Sequence, residues 1–181
     1  MKKYELTDEI IVKYGSTLHR IKALKDFGNV KTGELGGYIE SGSNLSQEGN
    51  CWVYGNARVC GNAEVCGNAE VFGNAEVCDN AEVYGNAKVY GNAWVYGNAE
   101  VCGNARVYGD ADYITIKGLG SKYRNTTIFR TKENIAVKCG CFYGTLAEFV
   151  DKVKETHGNS KFAKEYLALI DLVKIHFELE E

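Results

Sequence analysis

The side chains best suited to chemistry lie in a basic segment, residues 117–138, which contains six basic residues and one acidic residue. The basic residues are Lys117, Lys122, Arg124, Arg130, Lys132 and Lys138. The segment also carries residues whose backbone amides and hydroxyls can cradle a phosphate, namely Gly118, Gly120, Ser121, Asn125, Thr126 and Thr127. This combination predicts a site for a small anionic ligand.

A glycine-bounded segment, residues 140–145, follows shortly afterwards and precedes a predicted helix. Helix N-termini attract anions because their backbone N–H groups lack partners within the helix. We therefore extend the candidate ligand site to Gly140, Cys141, Phe142, Gly144 and Thr145. We expect the two segments to converge, with Arg124 and Arg130 pointing into one cleft, because neither segment alone offers enough donors. The alternative is that the basic side chains are solvated and Gly144-Thr145 only begins the helix.

The element that must position these residues is a six-residue repeat, G-N-A-x-V-x, which runs from Gly49 to Asp112. Its valines stand at positions 53, 59, 65, 71, 77, 83, 89, 95, 101 and 107. Small and aliphatic residues at every second position predict a short strand, and Gly-Asn predicts a corner because glycine adopts positive φ cheaply. So short a unit can bury its apolar side only by stacking, which predicts a β-solenoid.

This pattern, an aliphatic residue two positions after a small one, resembles the hexapeptide repeat of left-handed parallel β-helices. The resemblance implies a triangular coil of three hexads, about 18 residues per turn. We divide the chain into an N-terminal β cap with an irregular first coil (1–42), the solenoid (43–112) and a C-terminal α+β cap (113–181). The regular repeat should begin near Gly49, because Gln47 stands where a valine belongs.

The two ends of the chain carry other patterns. Residues 3–24 alternate moderately and are broken at Gly15-Ser16, which predicts the strands of a cap. After the repeat we predict a strand over 113–117, a glycine-rich turn, and a hairpin with strands over 126–131 and 135–139. Two helices close the chain, one between Thr145 and Gly158 and one after Ser160. We expect the last helix to pack on the small sheet and on the solenoid.

Stacking at 18-residue intervals predicts which outward side chains meet on the solenoid. One column is an aromatic ladder and consists of Tyr54, Phe72, Tyr90 and Tyr108. Because exposed aromatic surfaces of this length are usually covered, we expect a C-terminal helix or a second subunit to lie on it. A ligand platform is the alternative. The resemblance implies a homo-oligomer, with a trimer favoured.

Composition narrows the classes of function. The net charge is −3 and the repeat itself is acidic, which argues against nucleic acid as a partner. No apolar run approaches the roughly 18 residues of a membrane span, so we expect a cytoplasmic protein with no membrane partner. The seven cysteines should be reduced thiols, and the pair Cys139 and Cys141 lacks the further ligands of a zinc site. We predict no metal and no cofactor.

Many left-handed β-helices are acyltransferases, so the resemblance also implies acyl transfer as a candidate activity. Such enzymes usually carry a histidine base on or beside the coils. Residues 49–112 contain no histidine, and His19, His157 and His176 lie in the predicted caps. The sequence therefore favours a protein without catalytic residues.

Both ends of the chain resemble those of bacteriophage and prophage proteins with G-N-A-x-V arrays. The resemblance rests on residues 4–7, 20–28, 35–40 and 44–50, on 140–142 and 144–146, and on 156–158. It implies a phage context, and so the cytoplasm of a host cell. With the basic segment, it favours a non-enzymatic binding protein that sequesters a phosphorylated or nucleotide-like signal of host defence. A structural or host-protein-binding scaffold and an acyltransferase are the alternatives.

Overall fold

A computed structural model describes residues 2–179. It begins with three strands, β1 (Tyr4–Lys13), β2 (Ser16–Ala23) and β3 (Leu35–Ile39). Ten two-residue strands follow: β4 (Trp52–Val53), β5 (Arg58–Val59), β6 (Glu64–Val65), β7 (Glu70–Val71), β8 (Glu76–Val77), β9 (Glu82–Val83), β10 (Lys88–Val89), β11 (Trp94–Val95), β12 (Glu100–Val101) and β13 (Arg106–Val107). A 3-10 turn (Asp110–Asp112) leads to β14 (Tyr113–Leu119), β15 (Arg124–Arg130), β16 (Ile135–Cys139), β17 (Phe142–Thr145), α1 (Leu146–His157) and α2 (Lys161–His176).

The two-residue strands stack into three parallel sheets. Each strand pairs with the strand 18 residues further on, so that Val53 lies beside Val71 and Val71 beside Val89. The sheets have the orders β3-β5-β8-β11, β4-β7-β10-β13 and β6-β9-β12, which makes about four coils. Every Ala and Val of the repeat from Ala57 to Val107 is buried in one continuous core. The predicted β-solenoid is confirmed.

The corners of the coil explain why Gly-Asn is repeated. The corner glycines from Gly55 to Gly103 have φ between 59° and 73°, a region that favours glycine, and Asp79 takes this conformation at 60°. A Cβ added to Gly85 would lie 2.9 Å from the backbone nitrogen of Gly103, so this stacked corner also leaves no room for a side chain. Asparagines beside them form ladders, as where Asn68 donates to Asn86 across 3.2 Å.

The first coil is irregular, and it corrects the expected inward position of Gln47. Tyr38 pairs with Arg58, 20 residues away, whereas the regular strands pair at 18. The two additional residues make Leu45, and not Gln47, the buried inward residue beside Val65. The Gln47 side chain instead accepts a hydrogen bond from the backbone N–H of Lys3, 2.7 Å away. An irregular coil therefore precedes Gly49, and the 18-residue spacing holds from Trp52 onward.

The N-terminal residues cover one end of the solenoid and one of its sides. The buried Lys3 ammonium donates to the backbone oxygens of Glu48 and Cys51 at 3.2 and 3.0 Å. Strands β1 and β2 form an antiparallel hairpin that continues the first sheet in the order β1-β2-β3-β5. The hairpin tip bends over the outward face of that sheet, where Tyr14 stacks on Trp94 with ring centroids 6.0 Å apart.

The antiparallel sheet β14-β15-β16-β17 closes the other end. Because side chains alternate along a strand, Phe129 lies in the solenoid core while the neighbouring Ile128 packs with the helices. Strand β17 was not predicted, and its residues belong to the glycine-bounded segment that precedes the first helix. It forms because Gly140, at φ 58°, and Cys141 make a two-residue turn between Cys139 and Phe142.

Both helices pack on this cap sheet, and their apolar side chains form a second core with it. The aromatic ladder shares no residue with that core, so the interpretation that a C-terminal helix covers the ladder is wrong. Within the ladder, Phe72 stacks on Tyr90 with centroids 4.9 Å apart, and Tyr108 is 61% exposed. In residues 2–179, no helix has the length and apolarity to cross a membrane.

We expect Val83→Asp to lower the free energy of unfolding by more than about 4 kcal/mol, because it places an unpaired carboxylate in the dry core. Glu82→Gln, one position away on the exposed side, should change it by less than about 0.5 kcal/mol. Urea denaturation of both variants measures the difference. A cooperative, wild-type-like transition for Val83→Asp would contradict the inward register of the valines.

Candidate functional site

The two arginines of the candidate site lie at opposite ends of β15. Both project from the same side of the strand, but six residues of extended chain separate them by roughly 20 Å. The Arg130 Nε lies 3.1 Å from Asp112, and its guanidinium lies over the ring of Phe177. The prediction that Arg124 and Arg130 point into one cleft is therefore wrong.

Arg124 lines a cavity of about 310 Å³ between the cap sheet and α1, called here the Arg124 cavity. Predicted residues from both segments converge in it: Ser121, Lys122, Arg124, Cys141 and Phe142. The helices add Phe149, Lys152, Thr156, His157 and Tyr166. The cavity therefore combines positively charged groups with an aromatic floor.

Backbone geometry and helix packing hold these groups in place. The Arg124 side chain lies against Gly140, at a point where any Cβ would collide with the guanidinium. The Tyr166 hydroxyl donates to the backbone oxygen of Leu119 at 3.3 Å. The rings of Phe149 and His157 pack on Tyr166 with centroid distances of 5.3 and 5.8 Å. The floor is thus a packed aromatic cluster.

The electrostatics of the Arg124 cavity favour an anion. Its lining contains no aspartate or glutamate. Lys122 and Arg124 form no salt bridge within residues 2–179, whereas Lys152 pairs with Glu155 at 2.8 Å. This hydrogen bond raises the pKa of Lys152, and burial raises the pKa of Tyr166, so the lysine stays charged and the phenol neutral at pH 7. The available charge is therefore positive.

Three other predicted site residues have structural roles, and two of them, Asn125 and Thr127, connect the cap to the solenoid by hydrogen bonds. Asn125 donates to the backbone oxygen of Asn98 at 2.6 Å, and the Thr127 hydroxyl accepts from the backbone N–H of Glu100 at 3.0 Å. Thr126 is buried and donates to the sulfur of Cys139. These three residues lie outside the Arg124 cavity, as do Lys117, Gly118, Gly120, Arg130, Gly140, Gly144 and Thr145.

Gly144 and Thr145 line a different cavity of about 500 Å³, together with Arg106 and Lys132. The adjoining N-terminus of α1 is occupied by the chain's own carboxylate. Glu148 accepts from the backbone N–H of Thr145 at 2.7 Å, and the Thr145 hydroxyl accepts from the backbone N–H of Glu148 at 3.3 Å. The hydrogen bonds that the Glu148 carboxylate accepts from the backbone N–H and the hydroxyl of Thr145 lower the pKa of Glu148. This helix terminus is therefore a capping box, the alternative weighed from the sequence.

The helix residues of the Arg124 cavity were missed by sequence reasoning. Helix α1 was predicted, but none of its residues was assigned to the site. Phe149, Lys152 and Thr156 recur at helical spacing, so the available signal was a basic and a polar residue on the same side of the helix as an aromatic residue. Among the histidines, His157 lines the cavity, while His19 and His176 contact backbone oxygens at 3.1 and 2.8 Å. Within residues 2–179 no group of three or more His, Cys, Asp or Glu residues is placed to hold a metal ion.

We expect Thr145→Ala to lower the free energy of unfolding by about 1 kcal/mol, because it removes the N-cap acceptor of α1. Thr156→Ala, in the same helix but outside the cap, should change it by less than about 0.5 kcal/mol. Chemical denaturation followed by circular dichroism compares the two. Equal effects would show that the capping box does not stabilise α1.

Comparison with known proteins supports the repeat architecture. Residues 81–97 match the family model described as YdcK Beta solenoid repeat. The chain is also 39% identical over 62 residues to a protein of Escherichia coli strain K12 named "Uncharacterized acetyltransferase YdcK". That alignment covers 30% of this chain and 19% of the relative. The chain is thus similar to β-solenoid repeat proteins and spans about a fifth of the curated relative that it matches.

Proposed function

We propose that this protein binds a small phosphorylated molecule in the Arg124 cavity without transforming it. The observation that carries the proposal is that Lys122 and Arg124 converge on one cavity beside an aromatic floor. Neither residue forms a salt bridge within the described chain, and no acidic residue lines the cavity. A phosphate matches the charge, since the planar guanidinium of an arginine can donate two parallel hydrogen bonds to it. The remaining lining can contact the rest of the ligand.

The size and lining of the cavity favour a nucleotide-like ligand. Its volume of about 310 Å³ lies at the lower end of the range typical of small-molecule sites. Phe142, Phe149 and Tyr166 offer ring surface, which suits a planar base. The resemblance to phage proteins provides a context, because sequestering a nucleotide signal of host defence requires binding and no turnover.

Acyl transfer is a second candidate, and the name of the E. coli relative favours it. His157 lines the Arg124 cavity and is the candidate base on this reading. However, this His157 ring packs against Tyr166, and the chain matches only 19% of that relative. A structural or host-protein-binding scaffold is the remaining alternative, and it would use the solenoid surface.

The test is isothermal titration of purified protein with AMP, cyclic AMP, ADP-ribose and inorganic phosphate. We expect at least one nucleotide to bind. Arg124→Ala should weaken its binding by roughly 10- to 150-fold, the loss of one hydrogen bond to a charged group. Arg130→Ala is the matched control, because Arg130 lies at the other end of β15 and pairs with Asp112. Its Kd should equal that of the wild type.

The same preparations distinguish the alternatives. An acyltransferase would turn over acetyl-coenzyme A and lose turnover in His157→Ala. If Arg130→Ala weakens nucleotide binding as much as Arg124→Ala does, the ligand does not lie in the Arg124 cavity. If none of the four probes binds, the proposed sequestration is wrong and a scaffold is the better interpretation.

A further inference from the structure

Strand β1 lies at the free edge of the six-stranded sheet, with β2 as its neighbour. An edge strand presents unpaired backbone N–H and C=O groups to any strand that can approach. Proteins usually protect such edges with prolines, bulges or charges. The register of β1 with β2 shifts between Leu6 and Ile10, but the last four residues of β1, from Ile10 to Lys13, pair regularly with β2 and contain no proline.

This segment also exposes large apolar side chains. Ile10 is 50% exposed, Val12 71% and Tyr14 64%. Tyr14 stacks on Trp94, which is 41% exposed and contacts Tyr96 with ring centroids 5.3 Å apart. The patch therefore continues from the hairpin onto the solenoid. Tyrosine and tryptophan are enriched at the centres of protein interfaces.

The hairpin turn fixes which backbone groups point outward. Tyr14 and Gly15 have φ of 53° and 81°, the positive values of a two-residue type I′ turn. In such a hairpin the pair next to the turn, Lys13 and Ser16, is hydrogen bonded, and bonded and non-bonded pairs then alternate. The N–H and C=O groups of Val12 and Ile10 therefore point away from β2, towards the free edge.

We propose that two copies of this chain pair through their β1 strands, antiparallel and centred on Ile11. The sequence Glu9-Ile10-Ile11-Val12-Lys13 is complementary to itself in this register. Each Val12 lies opposite Ile10 of the second copy, so that the outward backbone groups meet and β-branched side chains pair. Each Lys13 lies opposite Glu9 of the second copy, which places opposite charges on the two sides of the edge, although within one chain Lys13 pairs with Glu76 and Glu9 with Arg20.

The distribution of charge along β1 favours a second copy of this chain over an unrelated strand as the partner of the edge. Glu5, Asp8 and Glu9 lie towards one end of β1 and Lys13 lies at the other. A parallel partner copy would place like charges side by side, whereas the antiparallel two-fold arrangement places opposite charges together. The paired sheets would form one continuous twelve-stranded sheet, because each copy contributes the six strands of its first sheet. This dimer is independent of the ligand in the Arg124 cavity.

The test is multi-angle light scattering of wild type, Val12→Pro and Val12→Thr. Wild type should have twice the 20.0 kDa chain mass. Proline removes the outward N–H of residue 12, so Val12→Pro should have the monomer mass. The pairing of β1 with β2 should persist, because the backbone of residue 12 makes no hydrogen bond to β2. Threonine keeps both the N–H and the branched shape, so Val12→Thr should remain a dimer.

Disulfide trapping reports the register. In a Cys141→Ser background, mild oxidation should link two Ile11→Cys chains by a disulfide, because residue 11 of one copy lies opposite residue 11 of the other across the two-fold axis. Val12→Cys faces residue 10 and should remain unlinked. A monomeric wild type, a trimer that Tyr108→Lys dissociates, or stronger linking at position 12 than at position 11 would each overturn the proposal.

Discussion

The structure depends on one constraint, the in-register stacking of strands 18 residues apart. Each hexad contributes only an alanine and a valine to the interior, and these become a core because the coils above and below cover them. The backbone of each strand bonds to the next coil, as where the N–H of Glu70 donates to the oxygen of Ala87 at 3.0 Å. The corners of successive coils can stack at this spacing because the corner glycines and Asp79 adopt positive φ.

A stacked coil leaves an open end with an apolar cross-section, and the candidate site is a consequence of how that end is closed. Phe129 fills the end from β15, and the opposite side of the same sheet needs the two helices to cover Ile128 and Val137. The Arg124 cavity lies where α1 and the sheet separate. Acidic groups of the solenoid attract part of the basic segment, since Lys138 pairs with Glu100 and Arg130 with Asp112. Lys122 and Arg124 remain available to a ligand.

The repeat made the solenoid predictable, because ten valines at a constant six-residue spacing are compatible with only one stacking period and one inward-facing side. The first coil was not predictable in detail, since only the structure reveals that two added residues give the inward position to Leu45. The convergence of Lys122 and Arg124 with Cys141 and Phe142 followed from their shared glycine-rich segments. The separation of Arg130 from Arg124 follows from the length of β15, which the sequence interpretation began two residues late. Lys152 and Tyr166 reach the cavity through tertiary packing that no local pattern contains.

The central claim is that the chain holds a small anion without chemistry, and native mass spectrometry of protein purified from its source cells tests it most directly. We expect a non-covalent mass increment of a phosphorylated small molecule on the wild type, retained in Arg130→Ala and absent from Arg124→Ala. A wild-type chain that carries no such increment yet acetylates an acceptor from acetyl-coenzyme A would contradict it.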